Sequence, residues 1–292
     1  MNFENVIQSL MFGLFTGAIY GIAAVGLSLV FGVLKVLNVA HGELLMLGGY
    51  ISYFAFAAWG LDPFLSLLIV IPAMILAGIV LDRVLFRHIV RQEGEEKIKN
   101  SLLVSFGLAL IMQNLAITQF TADDRSIQVA YMGMGINLLG ISLPYSRLGS
   151  LILALVVILA LHFFLHHSLA GKAVLATAED VEAAELAGIN IHRVFMLTFA
   201  VGASLAAIAG TQVVLTYGIS PSVGLYWTLK ALIIVILAGT NSILGAFPAG
   251  LLLGVVEGLS GAFLGQTYSE VIGLVMFLLV LMLRPQGLFV RQ

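Results

Sequence analysis

The sequence predicts an all-α integral membrane protein, a polytopic helical bundle of about eight to ten spans with one or two discontinuous helices, as a single domain over residues 1–292. Three observations predict it. The chain is 61% hydrophobic and 10% charged, with a mean hydropathy of +1.10, whereas soluble domains carry about 25% charged residues. Apolar stretches of about 20 residues, each able to cross roughly 30 Å of hydrocarbon, recur along the whole chain. Its 31 glycines suit helices that approach one another closely in a bilayer. The absence of cysteine excludes disulfides, thiolate metal sites and cysteine nucleophiles. A net charge of −2 with no basic stripe gives no nucleic-acid partner.

The apolar segments run over 8–33, 42–60, 63–82, 101–120, 146–167, 193–216, 228–242, 245–264 and 268–284. The N-terminus, "MNFENVIQSLMFGLF", carries Glu4 where a secretory signal carries Lys or Arg, so 8–33 reads as a retained span with its N-terminus outside. Gly13, Gly17 and Gly21 recur at four-residue spacing, which lines one helix face for close packing. "KVLNVAHGELLMLGG" (35–49) is the first candidate discontinuity. Its Asn38, His41 and Glu43 are candidates for a translocation pathway or gate, because polar groups at membrane depth are expensive and often mark a route. A satisfied structural bend is the alternative.

Residues 83–100 read as a cytoplasmic loop, and "TADDRSIQVAYMGMGIN" as an external segment whose Asp123-Asp124-Arg125 reads as solvated loop. His162 and His166 in "HFFLHH" have a spacing that can hold a metal, but no acidic ligand lies nearby in sequence and no metal is expected. The run "LKALIIVILAG" (229–239) is too short to span at 1.5 Å per residue. With the helix breakers of "GTNSILGAFPAG" after it, it is the second candidate discontinuity, and Thr240 and Asn241 join the pathway candidates. A second trio, Gly250, Gly254 and Gly258, brackets Glu257. This is the deepest acid by these boundaries, read chiefly as bonded to a neighbouring helix and kept as a pathway candidate.

Ten basic residues (Lys35, Arg83, Arg87, Arg91, Lys97, Lys99, Lys172, Arg193, Arg284 and Arg291) fall on one side of this arrangement, and three (Arg125, Arg147 and Lys230) on the other. The positive-inside bias places 83–100, 168–193 and the C-terminus in the cytoplasm. Within 168–193, "GKAVLATAEDVEAAELAGIN" (171–190) holds five charges, which at about 2.5–3.5 kcal/mol each at a helix centre cannot lie in lipid. Its alanines keep it slim and helical, and Gly188 and Asn190 end the helix. From composition it is a solvated loop or a short helix docked into a cytoplasmic partner.

Here the residues resemble the coupling loop of branched-chain amino acid ABC transporter permeases, the membrane subunits of leucine/isoleucine/valine importers. The family pattern falls on Gly171, Lys172, Ala173, Ala176, Asp180, Ala184, Leu186, Gly188, Ile189 and Asn190. "GAIYGIAAVGLSLVFGVLKVLNVAHGELLMLGGY" (17–50), "AGTNSILGAFPAGLLLGVVEG" (238–258) and "LRPQGLF" (283–289) are similar to its other conserved blocks, in the family's order. Thr240-Asn241 stands where many members carry a further Gly. The resemblance implies a transport subunit, not an enzyme, in the inner membrane. It would pair with a homologous second permease subunit, two ATPase subunits that bind ATP and Mg, and an extracytoplasmic substrate-binding protein. Residues 171–190 would dock on an ATPase, with Gly171, Lys172, Ala176, Asp180, Ala184, Leu186, Gly188, Ile189 and Asn190 in the contact. The chain itself lacks a phosphate-binding loop: at Gly171-Lys172, the early Gly is His166 and the Ser/Thr is Ala173. The expected substrates are branched-chain or related neutral amino acids; relatives for urea, amides or aromatic acids are the alternative. An ion-coupled transporter using Glu43 or Glu257 is a more distant one, and a membrane enzyme lacks a catalytic set.

Overall fold

The computed structural model describes residues 3–90, 94–138, 140–240 and 242–289; Arg91, Asn241 and Arg291 lie outside them. Twelve helices are seen among these residues: α1 (Phe3–Leu34), α2 (His41–Trp59), α3 (Pro63–Leu81), α4 (Arg87–Ile89), α5 (Gly94–Phe120), α6 (Tyr145–His167), α7 (Leu169–Glu179), α8 (Val181–Leu186), α9 (Ile191–Thr216), α10 (Val223–Ala238), α11 (Ala246–Leu264) and α12 (Gln266–Leu283). Six stretches are long and apolar enough to cross a membrane: Glu4–Leu34, Pro63–Ile89, Gly94–Phe120, Tyr145–His167, Ile191–Thr216 and Ala246–Leu264. With α2, α10 and α12 they form a multi-pass all-α bundle.

Local chemistry sets the boundaries. The α2–α3 turn combines Gly60 at φ 64°, Asp62 accepting from the Phe64 amide at 2.9 Å, and Pro63 at the first helical position, the expected stop and start signals. Three expectations are corrected. Segment 83–100 is mostly helix, because a π turn at Asp82–Phe86 carries α3 into α4 and α5 starts at Gly94. The segment 121–137, expected as loop, leads into a small antiparallel hairpin, β1 (Gly135–Leu138) and β2 (Ile141–Pro144), with Gly135 opposite Pro144. It is fastened to α1 by the Gln8 amide, which donates to the Ser142 carbonyl at 2.7 Å and accepts from its N–H at 2.8 Å. The 228–242 segment is instead the helix Val223–Ala238, capped by Gly239, so Lys230, counted among the outer-side cations, is a buried residue of that helix.

α1 and α9 form the centre and are almost wholly buried. Outer helices turn apolar residues outward, among them Leu68, Leu103 and Met282, as lipid-facing surfaces require. The two glycine trios face each other across the α1–α11 contact. A Cβ at Gly13 would lie 2.5 Å from the Gly254 carbonyl oxygen, one at Gly250 2.6 Å from Gly21 Cα, and one at Gly258 2.7 Å from Gly13 Cα. The helices meet backbone to backbone along this line, and no side chain fits between them.

Both expected discontinuities are present. After α1 the chain turns back into the bundle: His41 Nε2 donates to the Ala23 carbonyl at 2.9 Å. Leu34, the end of α1, lies about 16 Å farther along its axis at 1.5 Å per residue. The six non-helical residues 35–40, which end in a turn at 39–40, cover roughly that distance. Their backbone groups need partners away from water, and α5 and α10 supply them. Leu37 N–H donates to Ser101 Oγ at 3.1 Å, Val39 N–H to Ser105 Oγ at 3.0 Å, and Thr228 Oγ1 donates to the Val39 carbonyl at 2.9 Å. The break after α10 is closed by the C-terminal "RPQGLF". Leu288 and Phe289 N–H groups donate to the Leu237 and Ala238 carbonyls at 2.9 and 3.0 Å, two of the orphan acceptors at a helix end.

Candidate functional site

Two features at opposite ends of the bundle have functional geometry. At the first end, α7 and α8 link the end of α6 to the start of α9. Ser168 caps α7, accepting from the Gly171 N–H at 2.8 Å. A side chain at Gly171 would overlap the Phe164 carbonyl oxygen, so glycine is what lets α7 fold back on α6. The single helix read from the sequence is two. Asp180 separates them and caps α8, its Oδ1 accepting from Glu182 and Ala183 N–H at 2.9 and 3.0 Å. Gly188 at φ 85° ends the unit, and Asn190 caps α9 through the Arg193 N–H at 3.1 Å.

Of the residues expected at a docking surface, Lys172, Asp180, Leu186, Gly188 and Asn190 are exposed, while Ala176 and Ile189 are half-buried. Two are corrected. Ala184 is 4% exposed and faces the chain's own interior, because α8 packs back on α7 and α9; Gly171 is buried by the fold-back. Leu186, by contrast, is 91% exposed, and Leu169, which sequence reading missed, is 88% exposed. Glu182 and Glu185 flank Leu186 at the surface. A two-helix unit braced on α1, α6 and α9 therefore offers apolar points within an acidic rim.

The other end holds a cavity of about 670 Å³, lined by the starts of α1, α6, α10 and α12 and the ends of α9 and α11. On α1 its lining runs from Ser9 to Tyr20, about 16 Å of depth at 1.5 Å per residue. At its floor Glu257 accepts from Lys230 Nζ at 2.5 Å and from Tyr20 Oη at 3.0 Å. The Lys230 ammonium also lies 5.6 and 5.5 Å from the Tyr20 and Tyr226 ring centres, within cation–π range. Lys230 and Glu257 are 7% and 8% exposed. Arg147, at the rim, stacks 4.3 Å above the Phe12 ring and makes no ion pair among the described residues. Sequence reading missed Lys230, Tyr20 and Tyr226 as partners. The available signal was a lysine inside an apolar run and an acid inside another.

The remaining pathway candidates are not brought to this cavity. Asn38, His41 and Glu43 are buried at the start of α2, where Asn38 Oδ1 accepts from the Ala40 N–H at 3.1 Å and the Glu43 carboxyl packs against Gly224 of α10. Thr240 is exposed at the break after α10. His162 and His166 stack at 4.2 Å, and no group of three metal-ligating side chains occurs among the described residues.

The family described as branched-chain amino acid transport system, permease component, matches residues 9–281. The chain is 33% identical to the high-affinity branched-chain amino acid transport system permease protein LivH of Escherichia coli, over 99% of this chain and 97% of LivH. It is 34% identical to LivH of Salmonella typhimurium over the same shares, and 32% identical to BraD of Pseudomonas aeruginosa over 98% and 96%. No solved structure matches the chain.

Proposed function

Because the chain belongs to the family of permease components of branched-chain amino acid transport systems, we propose that it is the membrane-spanning subunit of an ATP-driven importer for branched-chain or related neutral amino acids. It is a transport subunit and not an enzyme. In this reading two ATPase chains bind ATP and Mg on the cytoplasmic side, a homologous second permease completes the pore, and an extracytoplasmic binding protein delivers substrate. The observation that carries it is the α7–α8 unit, exposed at one end and braced at its base on α1, α6 and α9. A partner that grips Leu186 and Leu169 moves three helices at once, two of which, α1 and α9, also form the bundle's core. The basic residues Arg83, Arg87, Lys97, Lys172 and Arg193 gather at the same end, which by the positive-inside rule is cytoplasmic, and the cavity then opens outward.

The test is uptake in proteoliposomes holding the assembled importer. Leu186→Asp places a charge where an apolar anchor docks, in a residue with no packing role in the isolated chain. ATP-driven leucine uptake is expected to fall by at least about tenfold, as for loss of an interface anchor worth 2 kcal/mol or more, with the melting temperature of the purified permease unchanged. Unaltered uptake places docking elsewhere. Uptake by this chain alone, driven by a proton or sodium gradient, rejects the importer reading in favour of an ion-coupled transporter.

A further inference from the structure

We propose that the floor of the outer cavity is a zwitterion site, in which the Lys230–Glu257 pair opens to receive the ammonium of an amino acid on Glu257 and its carboxylate on Lys230. This rests on the reading above that the chain carries neutral amino acids. The site is already built for a primary ammonium. One carboxylate, fixed by the Tyr20 hydroxyl, and the faces of two tyrosine rings surround Lys230 Nζ, and these are the groups that recognise alkylammonium ions. Lys230 is the resident occupant.

Charge balance then selects the ligand. Both partners are more than nine-tenths buried, so a lone charge brought between them leaves one buried ion uncompensated, which is costly. A zwitterion inserted head to tail replaces one ion pair by two and leaves the net charge at zero. Cationic or anionic solutes break that balance, and uncharged amides or urea offer too little to separate the pair. Space is available beside it. Phe12, Val213, Val223 and Trp227 are among the cavity's lining residues and offer apolar surface to a hydrocarbon side chain. Arg147, at the rim, offers an incoming carboxylate a first contact.

The test uses the assembled importer in lipid nanodiscs without its binding protein, and saturation-transfer NMR with three probes: leucine, cationic leucinamide and anionic 4-methylpentanoate. Leucine is expected to bind at least about tenfold more tightly than either singly charged probe, the loss expected when a charge-assisted hydrogen bond is removed. In the double variant Lys230→Met/Glu257→Met, apolar groups replace the pair, an exchange that buried ion pairs commonly tolerate. It is expected to melt close to the wild type and yet lose leucine binding, with uptake KM raised about 10- to 100-fold. Equal binding of the three probes, or wild-type KM in a double variant that folds, overturns the proposal and leaves the pair a purely structural bond. Failure of the wild-type importer to take up leucine with ATP rejects the functional reading itself, a result visible before any variant is made.

Discussion

Replacing Glu257 alone by leucine lowers the apparent melting temperature of the purified protein by about 10 °C, since orphaning one partner of a buried ion pair costs roughly 3–5 kcal/mol. The cost comes from Lys230. It stays in α10 at 7% exposure, loses its only ion-pair partner among the described residues, and keeps just the faces of Tyr20 and Tyr226. Glu257 also sits where four helices meet. Its carboxylate bonds α10 and α1 and packs against Gly273 of α12. Intrinsic fluorescence during a thermal ramp reads the effect, and the Lys230→Met/Glu257→Met protein is its control. Single and double variants that melt alike would mean that the pair contributes nothing beyond the volume it fills.

Gly254→Leu removes most of the protein from the membrane. A Cβ at this position already overlaps Gly17 Cα, and the opposing Gly13 carbonyl is equally close, so leucine can be housed only by driving α1 and α11 apart. That separation breaks the longest contact in the bundle at a cost of about 3 kcal/mol or more, enough to lower cellular abundance several-fold. Gly107→Leu on α5 is the contrast, because a Cβ there meets nothing within 4 Å. Quantitative immunoblotting of membranes separates the two. Equal abundance would show that α1 and α11 are not in backbone contact.

What was legible in the sequence follows from the range of the forces involved. Hydropathy and caps act within one helix, so most segments lie within a few residues of their expected bounds and the stop at Gly188 is readable directly, whereas the role of Asn190 as the cap of α9 is not. The polar and helix-breaking residues of "NVAHGE" and "GTNSILG" betrayed both discontinuities. Their partners did not, because Ser101, Ser105 and the tail residues Leu288 and Phe289 come from distant parts of the chain. Lys230 was misplaced for the same reason. Its charge suggested water, while its partner stands 27 residues away on another helix. Ala184 is expected at the surface from the resemblance alone, and alanines on several faces of this unit leave no local mark of which face packs inward once Asp180 splits one expected helix into two. The hairpin was missed because strands of four residues leave little periodic trace.

The most direct test of the central claim is to purify the chain from its native membrane in mild detergent, beside Leu186→Asp. The wild type is expected to bring stoichiometric ATPase subunits and a second permease, and Leu186→Asp to retain the permease while losing the ATPases. A wild-type chain that purifies without ATPase subunits, or a Leu186→Asp chain that keeps them, would contradict docking through α8.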